Sequence, residues 1–275
     1  YLAVKKILAL VFSITLVSSL VYSLGIYAES SNGEIEYGSA TTQDTTSNED
    51  TNADGEDTIQ AVDNSYSNEL QTYSYTDYNQ TFLDSMVLLG DSIAYGFAVY
   101  DRLPEECVLA QASIGARNIN TTEFTFSVGD KSNLNILDAV SIKQPTYTFM
   151  SMGMNDINMG STDDFTNNYT TNINDIFKVC PNTTIIVMGI TPITSSSTFA
   201  TNEKIDTYNE ALKQMCSTLK SQGLKVYYID VSKYLKDESG NLYSDYASGY
   251  DGVHLVGTAY DYMFTTMMLS LQMIQ

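Results

Sequence analysis

One histidine, His254, stands among 275 residues, beside three cysteines and 13 Lys or Arg set against 33 Asp or Glu. Each scarcity removes a class of function. A single imidazole cannot furnish the ligand set of a zinc site. Cys107, Cys180 and Cys216 are too few and too scattered for a disulfide framework, and their number is odd. Each reads as a small buried apolar residue. The formal charge of −20 argues against nucleic acid and anionic lipid as standing partners. If the chain performs serine–histidine chemistry, its base can only be His254, since imidazole is the usual proton acceptor at neutral pH.

The charge is unevenly spread: +2 over residues 1–28, −12 over 29–80 and −10 over 81–275. Residues 1–28 open on Lys5 and Lys6 and continue as an almost unbroken apolar run from Ile7 to Ala28. That pattern is a secretory signal or a retained membrane anchor, and either one implies export to the cell surface or beyond. Residues 29–80 hold twelve acidic residues and no Lys or Arg, with few large aliphatics. Such a stretch cannot bury enough apolar surface to offset its ordering entropy, so it is expected to be a disordered acidic linker. Asp50, Asn52, Asp54 and Gly55 match the first half of a calcium loop, but Ala61 stands where the bidentate Glu belongs. The stretch therefore reads as part of the solvated linker.

From Phe82 onward the composition is that of a folded domain, spanning 81–275. Five apolar, β-branched runs predict strands over Met86–Gly90, Cys107–Ala112, Thr146–Met152, Thr184–Ile190 and Lys225–Val231. Helical spacing of apolar residues predicts helices over Asn133–Lys143, Asp163–Lys178, Thr201–Gln222 and Leu255–Met273. Pro145 and Pro181 break the chain between helix and strand, and Gly223 suits a helix C-cap. Alternating strands and helices imply an α/β fold, a parallel sheet covered on both faces. In such sheets, sites form beyond the carboxyl ends of the strands.

The suspicious polar residues all fall at those ends. Ser92, in Gly90-Asp91-Ser92, follows the first strand and is either a helix N-cap or a nucleophile. It does not lie in a Gly-x-Ser-x-Gly elbow, because Ala94 occupies the second glycine position. Gly115 follows the second strand, as a turn glycine or as a backbone N–H presented to a ligand. Asn155, in Gly153-Met154-Asn155-Asp156, follows the third; it closes an Asx-turn or aims an amide at developing negative charge. Asp251 precedes His254 by three residues, a spacing at which a carboxylate can orient the ring; either could instead be a polar cap. Tyr95, Tyr246 and Tyr250 lie near these segments and could stack on a sugar ring, although scattered half-buried packing is the expected role in a chain with 21 tyrosines.

Taken together and in this order, Gly90-Asp91-Ser92, Gly115, Gly153-Met154-Asn155-Asp156 and Asp251-Gly252-Val253-His254 resemble the four sequence blocks of the SGNH hydrolases, the GDSL-type lipases and esterases. The resemblance spans roughly 82–275. It implies a three-layer α/β/α, flavodoxin-like domain with a five-stranded parallel sheet. It also implies a catalytic triad of Ser92, His254 and Asp251, and an oxyanion hole made by the Ser92 and Gly115 backbone N–H groups and the Asn155 amide. Asp91 and Asp156 would be structural. The expected activity is hydrolysis of short acyl esters, such as acetyl groups on polysaccharide or peptidoglycan, without metal or cofactor. The same residues would serve an O-acyltransferase, and the fold could also carry a non-catalytic surface-binding module. No nucleic-acid partner is expected, and the membrane enters only through the N-terminal segment, if it is retained.

Overall fold

The computed structural model describes residues 73–122 and 126–274. The expected export segment, the acidic residues 29–72 and the calcium-like stretch lie outside the described residues. Among the described residues, no helix is long and apolar enough to cross a membrane.

Five parallel strands form the central sheet: β1 (Met86–Gly90), β2 (Val108–Ala110), β5 (Tyr147–Ser151), β6 (Thr184–Met188) and β7 (Val226–Ile229), in the order β2-β1-β5-β6-β7. The strands read as continuous apolar runs because both faces are covered. Side chains alternate between faces along each strand. Val87, Leu89, Met150, Ile185 and Val187 point into one core cluster, and Met86, Leu88, Phe149, Ile186 and Met188 into the other. The first cluster is covered by α3 (Ile136–Lys143), α4 (Thr162–Val179) and α5 (Asn202–Ser221). The second is covered by α2 (Ser92–Val99) and α6 (Gly257–Ile274). This is the expected three-layer α/β/α architecture. Cys107, Cys180 and Cys216 are buried free thiols.

Helix ends follow local chemistry. Ser161 and Asp164 close a capping box at the start of α4. Thr201 caps α5, and Gly223 stands in the left-handed region (φ +88°) just past its end, as the sequence suggests.

β1 matches its sequence run, the other four strands are shorter than theirs by two or three residues, as Val108–Ala110 is within Cys107–Ala112, and two regions differ further. The helix expected from Asn133 begins at Ile136, capped by Asn135, because Asn133 and Leu134 belong to a small antiparallel hairpin of β3 (Phe126–Val128) and β4 (Lys131–Leu134). Gly129, with φ +61°, lies in the turn joining these strands. Residues 73–80, which the sequence assigns to the linker, are ordered. Residues 73–80 form a 3-10 turn (Tyr75–Asp77) and enter α1 (Gln80–Asp84), laying Tyr73, Tyr75 and Tyr78 on the second core cluster. The Tyr73 N–H donates to Thr265 Oγ1 at 2.9 Å, and the Tyr78 ring meets Phe264 edge-on at 6.0 Å. Three aromatic rings supply the burial that orders this stretch.

The strand order fixes where a site can form. From β1 the chain steps outward to β2 and then returns to place β5 on the other side of β1. The carboxyl ends of β1 and β5 therefore flank a topological switch point, the crevice where doubly wound sheets bind ligands. Gly90 ends β1 there, and only a glycine fits: an added Cβ would lie 2.2 Å from the Ser151 carbonyl oxygen.

Candidate active site

Ser92 is the first residue of α2, and Asp91, not Ser92, is the N-cap: its carboxylate accepts the Ile93 N–H at 2.9 Å. The cap reading of Ser92 is thereby displaced, and its hydroxyl is free for other work. Its backbone N–H belongs to the first turn, where donors lack intrahelical partners and the helix dipole favours negative charge. Ser92 Oγ lies 3.0 Å from His254 Nε2. His254 Nδ1 lies 2.5 Å from Asp251 Oδ2. A hydroxyl, an imidazole and a carboxylate thus form one continuous chain of hydrogen bonds, although Ser92 and His254 are 162 positions apart.

The Asp251–His254 loop is locally self-ordering. The other carboxylate oxygen of Asp251 accepts the Val253 and His254 N–H groups at 2.8 and 2.9 Å. Gly252 between them adopts φ +68°, and a Cβ there would strike Thr194 Oγ1. Neighbouring segments hold the loop in place. Thr194 N–H donates to the Gly252 carbonyl at 2.9 Å, Ser197 Oγ to the Asp251 carbonyl at 2.8 Å, and Ser248 N–H to the His254 carbonyl at 2.7 Å. Burial works against the Asp251 charge, but the hydrogen bond and charge of His254, with the two backbone donors, outweigh it and hold the carboxyl at about 2. Asp251 is therefore an anion at any ordinary pH, ready to hold the ring in the tautomer with a bare Nε2.

Asn155 lies in the turn after β5. One of its amide N–H groups donates to the Ile114 carbonyl at 2.8 Å, fixing the carboxamide and leaving the second N–H as the one an oxyanion could take. Asp156 faces the interior and ties this turn to the one after β2. It accepts the Ala116 and Arg117 N–H groups at 2.9 and 3.3 Å and pairs with Arg117 Nη1 at 3.1 Å. Arg117 Nη1 also donates to the Asn155 carbonyl at 2.7 Å.

Gly115 sits on the same turn, and a Cβ there would lie within 2.6 Å of both Asp156 carboxylate oxygens. Its N–H does not point to an open donor position. It donates to Asn118 Oδ1 at 2.7 Å, while the Gly115 carbonyl accepts the Asn118 and Ile119 N–H groups. This is the reciprocal half of a capping box, in which the third residue of a turn reaches back to its first. In this conformation the third expected oxyanion donor is engaged by Asn118, leaving Ser92 N–H and Asn155 as the two open ones.

Sequence reasoning missed Thr194, Ser197 and Asn118. The Asn118 contact has a readable signal, an Asn three residues after a turn glycine. The contacts of Thr194 and Ser197 cross more than fifty positions and have none.

Asp91 is the most perturbed carboxyl at the site. Burial pushes it up to about 7, against the pull of the Ile93 and Ala94 N–H groups and of His254. Among the described residues, no group of three or more His, Cys, Asp or Glu is placed to hold a metal ion.

Residues 88–262 match the model of the GDSL-like lipase/acylhydrolase family. The chain belongs to this family. It is a carboxylic-ester hydrolase in class, and the match takes in every block named above. Similar solved structures include a family 3 carbohydrate esterase from Clostridium thermocellum, 18% identical with a TM-score of 0.51, covering 69% of this chain and 96% of that one. A GDSL-like lipase from Bacteroides thetaiotaomicron is 13% identical with a TM-score of 0.50, covering 73% and 94%. At such identity the likeness concerns the fold. No curated protein sequence matches the chain.

Proposed function

We propose that the chain is an exported serine esterase that removes short acyl groups, acetyl foremost, through Ser92, His254 and Asp251. The observation that carries this reading is the unbroken Ser92–His254–Asp251 hydrogen-bond chain at the amino end of α2. Neutral His254 takes the Ser92 proton on Nε2 as Oγ attacks the ester carbonyl. Ser92 N–H and Asn155 Nδ2 hold the oxyanion. The intermediate collapses, the alcohol leaves with the proton from His254, and the acyl group remains on Ser92. Water then attacks, gives its proton to His254, and the acid departs as Ser92 is restored. Asp251 stays ionised throughout.

Short acyl groups are favoured because the chain shows no lid-like apolar insertion between its motif segments. Export is supported by Lys5, Lys6 and the apolar run behind them. The test is hydrolysis of p-nitrophenyl acetate by the whole protein and by Ser92→Ala and His254→Ala. Each substitution should cut kcat/KM by roughly a thousandfold or more with circular dichroism unchanged. Retention of more than about a tenth of the rate would remove that residue from its role.

A further inference from the structure

We propose that residues 190–199 form a strut that sets the spacing between the His254 loop and the Asn155 turn, with Ser197 and Asn158 as its positioning residues. This deepens the esterase reading above and rests on it.

The composition of the segment predicts a loose loop. Thr194-Ser195-Ser196-Ser197-Thr198 is a run of small hydroxyl residues between β6 and α5, the kind that makes a mobile surface connection. Two asparagines of α5 tie it down. Buried Asn209 takes the Ile190 N–H on Oδ1 at 2.7 Å and donates its own amide N–H to the Ile190 carbonyl at 2.9 Å. Asn202 holds Ile193 in the same way, at 2.9 and 2.8 Å. Each carboxamide pairs both backbone groups of one loop residue, as a neighbouring strand would.

Beyond these anchors the segment runs between two parts of the site. On one side Thr194 N–H donates to the Gly252 carbonyl at 2.9 Å and Ser197 Oγ to the Asp251 carbonyl at 2.8 Å. On the other, Asn158 Nδ2 donates to the Phe199 carbonyl at 2.7 Å, while Lys204 Nζ donates to Asn158 Oδ1 at 3.1 Å. Asn158 follows Asn155 by three residues, just past the turn in which Asp156 and Ile157 N–H groups donate to the Gly153 carbonyl. Ser197 Oγ also accepts the Phe199 N–H at 3.4 Å, so the two sides meet within three residues. The Phe199 side chain packs against the first core cluster and holds the segment down.

Ser197 bonds the Asp251 carbonyl, not its carboxylate. Removing the hydroxyl therefore leaves the charge intact and frees the backbone that carries it. The base and the Asn155 amide must address one ester carbonyl at the same time, and a misplacement of about 1 Å can cost about a hundredfold in rate. The loss should fall on the chemical step and leave substrate binding nearly untouched.

The experiment measures kcat and KM for p-nitrophenyl acetate in the whole protein and in Ser197→Ala, Ser197→Thr, Asn158→Ala and the double alanine variant. Hydrogen–deuterium exchange over residues 250–256, which include the Val253 and His254 N–H groups bonded to Asp251, is followed in parallel. Asn158 is exposed, so its alanine variant cuts the strut without removing core packing. Each alanine variant should lose about tenfold in kcat with KM within about twofold, and residues 250–256 should exchange faster. Ser197→Thr keeps the hydroxyl and should stay within about threefold of the native kcat. The double variant should lose only about twentyfold, short of the roughly hundredfold product of independent effects, because either cut alone frees the strut. Native kcat in either alanine variant would overturn the strut, even with a lowered melting temperature. So would a threonine variant as slow as the alanine one, or a double variant that loses the full product. A protein that hydrolyses no ester would bring down the esterase reading, and exchange would then decide the strut alone. Faster exchange over 250–256 in Asn158→Ala would support it, and unchanged exchange would overturn it.

Discussion

At the scale of single residues, the site separates its carboxylates by environment. Asp251 is held low by three hydrogen bonds and the charge of His254 around a partly buried group, whereas Asp91 is raised by burial that its two backbone donors and His254 do not offset. The two should act oppositely on stability. In the unfolded chain Asp91 ionises near 3.8, and in the fold only near 7. Below pH 4 it is protonated in both states and costs nothing. As pH rises from 4 to 7 the unfolded chain ionises first, so the fold is progressively disfavoured, and above 7 the cost is complete. Asp91→Asn keeps an acceptor for the Ile93 N–H but removes this titration. Its stability relative to the native protein should therefore improve by a few kcal/mol between pH 4 and pH 8. Urea midpoints of both proteins at the two pH values check this; parallel curves would mean that Asp91 carries no buried charge. The Ser92–His254–Asp251 contact was legible from residues, since one histidine leaves one candidate for a base. What Gly115 does was not, because a backbone N–H can turn toward Asn118 without any change in the residue pattern that marks the turn.

Among the elements, the strands were the most readable. Continuous apolar runs such as Met86–Gly90 can only be buried on both faces, and β1 ends where the sequence places it. The hairpin of β3 and β4 was not readable, because the alternation of Phe126-Ser127-Val128 is only three residues long and β4 is polar until Leu134. The strap at 73–80 was hidden by its neighbours: Asp77 and the acidic residues upstream give the stretch a linker's composition, and three tyrosines decide against it. A chain beginning at Tyr73 and one beginning at Asn79 should both fold, but the shorter loses three half-buried rings worth roughly 2–4 kcal/mol together. Its melting temperature should be lower by roughly 5–10 °C. Equal melting temperatures would show that the strap is not part of the cooperative unit.

For the whole molecule, charge is the dominant property that pairwise contacts do not express. The −10 carried by residues 81–275 surrounds the crevice with a field that salt can screen. Acetyl esters of like size but different charge should report it. Between roughly 10 and 200 mM NaCl, kcat/KM should fall for a trimethylammonium ester, rise for a sulfonate ester and stay flat for a neutral one. Identical salt responses for all three would mean that the site is shielded from the surface charge. The α/β class and the layer order were legible at this scale because strand–helix alternation leaves few topologies for a parallel sheet. Which switch point holds the site became visible only with the strand order.

The chain's one imidazole is also its proposed base, bonded through Nδ1 to Asp251 and through Nε2 to Ser92. In a magnetic resonance spectrum the whole protein therefore yields a single pair of imidazole nitrogen signals. Those signals need no assignment by mutation, and their shifts report tautomer and charge at the Ser92–His254–Asp251 contact. A titration of that one ring can be followed in the intact protein, with and without an acyl group on Ser92, with no label beyond uniform nitrogen-15. That economy follows from a scarcity written in the composition.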